Sequence, residues 1–133
     1  MADVFAIKPV PKPRMTQRDK WAKRPAVLRY RAFCDEVRAH NVQLPEDGAI
    51  VTFVMPMPKS WSKKKKDQMD GEPHQQKPDL DNLVKALGDA CYTDDCRIHC
   101  IAARKVWGIE GQLIVRPWTW GDPWPEPVTG EPL

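Results

Sequence analysis

The chain has 133 residues, with 21 lysines and arginines, 18 aspartates and glutamates, 14 prolines and four cysteines. That length suits a single domain with its own core. No apolar run is long enough to span a bilayer and no signal peptide opens the chain, so a cytoplasmic protein without a membrane partner is expected. Cys34, Cys91, Cys96 and Cys100 then read as reduced thiols rather than a disulfide framework. The net charge of +3 hides a split: residues 1–66 carry 15 basic and 6 acidic side chains, a balance of +9, and residues 67–133 carry 6 and 12, a balance of −6. A basic half and an acidic half fit a polyanionic partner and a separate carboxylate site, although solvated surfaces can carry the same asymmetry.

In chain order, Val4–Ile7 is short and β-prone and reads as an opening strand. Residues 8–24 follow, with three prolines that disfavour helix and regular sheet, so their basic side chains face solvent or a ligand. From Pro25 the spacing of Val27, Leu28, Tyr30, Arg31, Phe33, Cys34 and Val37 predicts a helix through about His40, opened by Pro25 and closed by Asn41. Ala49–Met57, AIVTFVMPM, is the best strand of the chain. Residues 58–77, with low apolar content and a run of four lysines, read as a mobile basic loop. Leu80, Leu83, Val84 and Leu87 then recur at helical spacing, and the helix they predict ends near Cys91 or Tyr92. Arg97–Trp107 reads as a strand, Gly108–Gly111 as a turn, and Gln112–Trp118 as the second strand of a hairpin. The tail, residues 119–133, is proline-rich and reads as an irregular or mobile end after a domain spanning 1–118. The order β-α-β-loop-α-β-β predicts an α+β fold with helices on one face of a mixed sheet.

The chemistry concentrates in KPDLDNLVKALGDACYTDD, residues 77–95. Asp79 and Asp81 stand at the helix entrance, where either can cap the first turn. Asp81, Lys85 and Asp89 follow one another at four-residue steps, away from the leucine stripe. Asp94 and Asp95 come after the helix. Convergent aspartates supply the hard oxygen ligands that Mg²⁺ takes, and such an ion activates water and stabilises charge on a phosphate under attack. A lysine in the position of Lys85 would stabilise the added negative charge of the transition state. The plainer readings are a cap, an i,i+4 partner and a turn. A helix of ten residues is about 15 Å long, so the two acidic groups cannot meet across one straight helix. Either the helix begins after Asp81, or the chain folds back.

The run KPDLDNLVKALGDA, followed by Asp94-Asp95 and an isoleucine-containing strand, resembles the RusA family of Holliday junction resolvases, common in phages and prophages. The matching positions are Asp79, Asp81, Asn82, Lys85, Asp94 and Asp95. VPKPR near the start, the helix before the central strand and the polar, histidine-containing segment before KPD extend the likeness over residues 4–118. The resemblance implies a two-layer α/β sandwich and a homodimeric, Mg²⁺-dependent endonuclease, in which Mn²⁺ can substitute. It would cut four-way DNA junctions by paired symmetric incisions in the bacterial host cytoplasm. Carried over, Asp79, Asp81 and Asp95 are the metal ligands, and Lys85 joins them as the catalytic lysine. The connection from Ala90 to Asp94, Cys91-Tyr92-Thr93, is shorter than is common in the family. The alternative is a non-catalytic protein of phage recombination or replication that binds branched DNA.

For the DNA surface, Lys8, Lys12, Arg14 and Arg18 of the basic segment, Lys63, Lys64, Lys65 and Lys66 of the lysine run, and Lys77 are the candidates for phosphate contact. Trp61 is placed to stack on an exposed base, and the lysines beside it also read as a solvated charge run. His74 reads as a solvated loop histidine, with phosphate contact as the sharper alternative. Trp107, Trp118 and Trp120 read as hairpin packing. Cys96, His99 and Cys100 lack the spacing of a zinc site and read as thiols beside a strand histidine.

Overall fold

The computed structural model describes residues 3–14, 24–45, 47–91, 99–119 and 121–123. Four strands, β1 (Asp3–Phe5), β2 (Ala49–Pro56), β3 (Ile101–Gly108) and β4 (Gln112–Pro117), form one mixed sheet in the order β1-β4-β2-β3. The helices are α1 (Pro25–Ala39), α2 (Lys63–Met69) and α3 (Leu80–Cys91). The architecture is α+β, as the element order predicted.

β2 lies at the centre because it is the most continuously apolar segment, and every residue from Ala49 to Met55 is buried. Its alternate residues Ala49, Val51, Phe53 and Met55 share one core with Phe33 and Val37 of α1 and Leu83 and Leu87 of α3, so both helices cover one face. Leu113 and Val115 of β4 complete that layer. In α1, Pro25 occupies the first turn, where its missing N–H costs nothing, and Asn41 turns the chain out with φ 54°. Leu28, inside the expected apolar stripe, is instead 44 % exposed. The far end of α3 is tied to its surroundings: the Arg38 Nε donates to the Ala90 carbonyl at 3.2 Å, and the Cys91 thiol donates to the Val42 carbonyl at 3.6 Å. The first of these bonds occupies a carbonyl that the helix terminus leaves open.

Two expectations are corrected. Residues 109–111 do not close a hairpin: β3 pairs parallel with β2, β4 pairs antiparallel with β2 and β1, and β2 stands between them. A β3–β4 hairpin would move the most apolar strand to an edge, leaving one of its flanks without a ladder partner. The crossing over the end of β2 needs little side-chain bulk. A Cβ on Gly108 would overlap the Val54 side chain, and one on Gly111 would come within 2.8 Å of the Lys8 Cα.

The basic stretch 58–77, read as a loop, holds a helix and an edge pairing. Ser62 caps α2 by accepting from the Lys65 N–H at 3.2 Å. Beyond α2 the chain lies along the outer edge of β3. The Trp107 N–H donates to the Glu72 carbonyl at 2.9 Å, the His74 N–H donates to the Lys105 carbonyl at 3.1 Å, and Pro73 bridges Val106. The lysine run hid the helix because α2 buries no residue of its own, so no apolar period marks it.

Candidate nuclease site

Helix α3 begins at Leu80 and runs for 12 residues, about 18 Å at 1.5 Å per residue. Its buried face is Leu83, Ala86, Leu87 and Ala90, so the opposite face projects from the core. Asp79 precedes the helix, and its carbonyl accepts from the Leu83 N–H at 3.3 Å. Asp81 lies in the first turn. Both side chains are exposed, and both gain from the positive end of the helix dipole. The helix therefore does not start after Asp81. Any approach of Asp95 to Asp79 and Asp81 depends on the path of residues 92–98. Asp94 and Asp95 lie outside the described residues.

Lys85 stands one turn beyond Asp81 and borders two concavities. A cleft of ≈ 730 Å³ is lined by Asp81 and Lys85 with Leu80, Val84 and Gly88 of α3 and with Ile101 and Ala103 of β3. A second, of ≈ 410 Å³, is lined by Lys12, Pro13, Arg14, Asn82 and Lys85. The structure thus brings Lys85 together with Asp81 on one side and with Lys12 and Arg14 on the other. The basic segment reaches α3 through its backbone as well, the Lys12 N–H donating to the Asn82 carbonyl at 3.1 Å.

Asp89, which the spacing placed on the same outward row as Lys85, looks toward the basic segment instead. Its Oδ2 accepts from the Lys12 ammonium and, at 3.2 Å, from the Tyr30 hydroxyl. Lys12 therefore lines its cleft already paired with a carboxylate. Burial, with Cys34 and Asp89 nearby, holds the Tyr30 phenol well above its ordinary range, so it remains a neutral donor. Burial also raises the Cys34 thiol and pushes Cys91 up to about 11, so neither is a ready thiolate. Cys34, Cys91 and Cys100 are free thiols, and no group of three metal-binding side chains occurs among the described residues.

The other DNA candidates separate into places. Lys8, Arg14 and Lys77 are exposed, Lys63, Lys64 and Lys65 are exposed on α2, and Lys66 is half-buried there. Arg18 lies outside the described residues. Trp61 is in contact with Trp107, ring centroids 4.8 Å apart, and the Lys65 ammonium sits 4.3 Å above its ring. Trp107 packs on Trp61 and His74, and Trp118 donates its indole N–H to the Pro123 carbonyl at 3.3 Å. Trp120 lies outside the described residues.

His74 is not a solvated loop residue. It is 6 % exposed, with its ring centroid 4.3 Å from that of Trp107. Burial and then the Lys105 charge hold its imidazole below the usual range. A residue that the sequence pattern did not mark is Lys105. Its ammonium donates to the Gln76 and Pro78 carbonyls, each at 2.7 Å, immediately before Asp79. The available signal was a lysine whose alternate neighbours in the strand, Ala103 and Trp107, are apolar, so that it falls on their face.

Carboxylates at a helix entrance, beside a cleft of lysine and arginine on an α+β frame, suit a protein that acts on a polyanion. The model of the family described as endodeoxyribonuclease RusA matches residues 6–116, and the chain belongs to that family. Comparison with curated proteins returned no match. Membership implies an endodeoxyribonuclease that resolves Holliday junctions. No helix among the described residues is long and apolar enough to cross a membrane.

Proposed function

We propose that this protein resolves four-way DNA junctions by paired incisions that depend on a divalent metal, and that it does so as a homodimer. The observation that carries the reading is the placement of Lys85 between the Asp81 cleft and the Lys12–Arg14 cleft. One residue there faces both a carboxylate and a basic surface, which a phosphodiester at a metal centre requires.

The residues present fit Mg²⁺ or Mn²⁺. Asp79 and Asp81 are exposed oxygen donors, and His74, the softer donor before them in sequence, is buried against Trp107. Asp79, Asp81 and Asp95 would hold the ion. When bound, it would activate water and neutralise charge on the phosphate.

The rest of the work falls to the chain. Arg14 and Asn82 line the basic cleft and would receive the DNA backbone there, with Lys12 fixed beside them by Asp89. Lys85 would face the scissile phosphate and stabilise the charge that builds up on it during attack. Lys8, Lys77 and the lysines of α2 would extend the phosphate-binding surface. Opposed incisions across one junction need two such sites, which supports a dimer; sedimentation of the free protein tests it.

The deciding experiment is cleavage of a labelled synthetic four-way junction, with and without Mg²⁺, beside a linear duplex and the Asp81→Asn variant. Paired, metal-dependent incisions near the branch are expected, with cleavage by Asp81→Asn lowered at least a hundredfold and junction binding retained. Tight binding without cleavage by the wild type in Mg²⁺ or Mn²⁺ would replace this reading with that of a junction-binding protein.

A further inference from the structure

We propose that Lys105 is a positioning residue that holds the Asp79–Asp81 turn in its metal-binding geometry; this rests on the reading of those carboxylates as ligands. β3 is the edge strand of the sheet, and Lys105 is paired with Phe53 of β2. Phe53 belongs to the core under α1 and α3, so that register puts Lys105 on the face the helices cover. The side chain is half-buried there, and its ammonium reaches the chain that leads into α3.

The acceptors it finds are two main-chain carbonyls of one short segment. The bonds to Gln76 and Pro78, both 2.7 Å, bracket Lys77 and end one residue before Asp79. Main-chain pairing grips the same segment upstream, where the Lys105 carbonyl accepts from His74 and Trp107 pairs with Gly71 and Glu72. The buried His74 ring lies against Trp107, centroids 4.3 Å apart with the planes tilted by 57°. Downstream, Leu83 and Leu87 fix α3 in the core. Asp79 thus stands directly between two anchored points, Pro78 held by the Lys105 ammonium and Leu80 packed on the core, with Asp81 one residue further on.

Removing it leaves the upstream pairing and the helix docking intact. It frees two carbonyls and the residue that directly precedes Asp79. Ligands must be held to about 0.5 Å for productive geometry, so slack of this kind lowers metal affinity before it unfolds anything.

The test is Mn²⁺ binding to the full chain, followed by electron paramagnetic resonance, in wild type, Asp79→Asn, Lys105→Met and Lys105→Arg. Lys105→Met is expected to weaken Mn²⁺ binding tenfold or more. It should raise the Mg²⁺ needed for half-maximal junction cleavage by a similar factor, with the rate at saturating metal within threefold of wild type. Lys105→Arg, which keeps charge and donors, should recover most of the affinity. A purely structural lysine would lower the unfolding midpoint and leave the Mn²⁺ affinity of the folded protein unchanged, and that result overturns the proposal. Should Lys105→Met fail to fold, Lys105→Gln carries the same test, and wild-type Mn²⁺ affinity in that variant overturns it equally. If the wild type binds Mn²⁺ no better than Asp79→Asn, the reading of the carboxylates as ligands fails and the proposal falls with it. If the wild type binds and Lys105→Met matches it, the positioning role alone fails.

Discussion

The entrance of α3 and the arm formed by α2 are neighbours in sequence, yet they are held in opposite ways. The α3 entrance is fixed by contacts from far along the chain: Lys105 on its carbonyls, Trp107 under His74, and Leu83 and Leu87 sunk in the core. The α2 arm is held mainly by itself, through the Ser62 cap and the Lys65–Trp61 contact, and buries no helical residue. Its ties to the sheet are Trp61 against Trp107 and, just beyond α2, the main-chain bonds of Gly71 and Glu72 to Trp107. The difference matches the two tasks proposed for them. Carboxylates that share an ion need fixed geometry. Lysines that attract a phosphate backbone act through charge, which tolerates movement.

The largest effect should come from loosening the anchored region. Leu87→Ala, at a fully buried position in the core under α3, should cost about 2–5 kcal/mol of stability, read from urea unfolding. A value below 1 kcal/mol would show that α3 is not docked as tightly as its burial indicates. The arm should respond in a different quantity. Replacing Lys63, Lys64, Lys65 and Lys66 by serine should change stability by about 0.5 kcal/mol or less per substitution. Junction affinity should fall with it, and the slope of log K against log salt should become shallower by up to about 0.9 per lost phosphate contact. An unchanged slope would remove α2 from the DNA surface.

A smaller effect separates the regions by pH. His74 has its folded pKa depressed, chiefly by burial, so the unfolded chain binds the proton more readily. The associated stability is present above the unfolded value of about 6.5 and is lost as pH falls through the lower folded value. His74→Phe should flatten that part of the stability–pH curve, measured between pH 7.5 and 4.5, while retaining a ring against Trp107. An identical decline in the variant would assign the loss to other groups. The most local change belongs to the arm: Ser62→Ala should destabilise α2 by about 1 kcal/mol, seen as faster amide hydrogen exchange in residues 63–69 alone. Faster exchange that spreads into α3 would show that the two regions are coupled.

Much of the candidate site was legible before any fold was known. Asp79, Asp81 and Lys85 stood out by their spacing around a leucine stripe and by the family motif, and the stripe predicted a helix ending near Cys91 or Tyr92 with its start left open; α3 runs from Leu80 to Cys91. Asp89 was placed on the right helix but with the wrong company, because its partners Lys12 and Tyr30 lie 77 and 59 residues away. His74 was misjudged for the same reason. A polar stretch reads as solvated, and only the edge of β3 and the ring of Trp107 bury it.

Sequence alone determined α1, β2 and α3, the α+β class and the family, since each rests on local period, β-branched runs or fixed motif spacing. Tertiary structure decided the strand order, the helix within the lysine run and the service of Lys105 to the α3 entrance. Those outcomes turn on which distant segments compete for the sheet's centre and edge. β2 took the centre because it could bury both faces, and that choice left β3 at the edge, where Lys105 could reach the chain leading into Asp79.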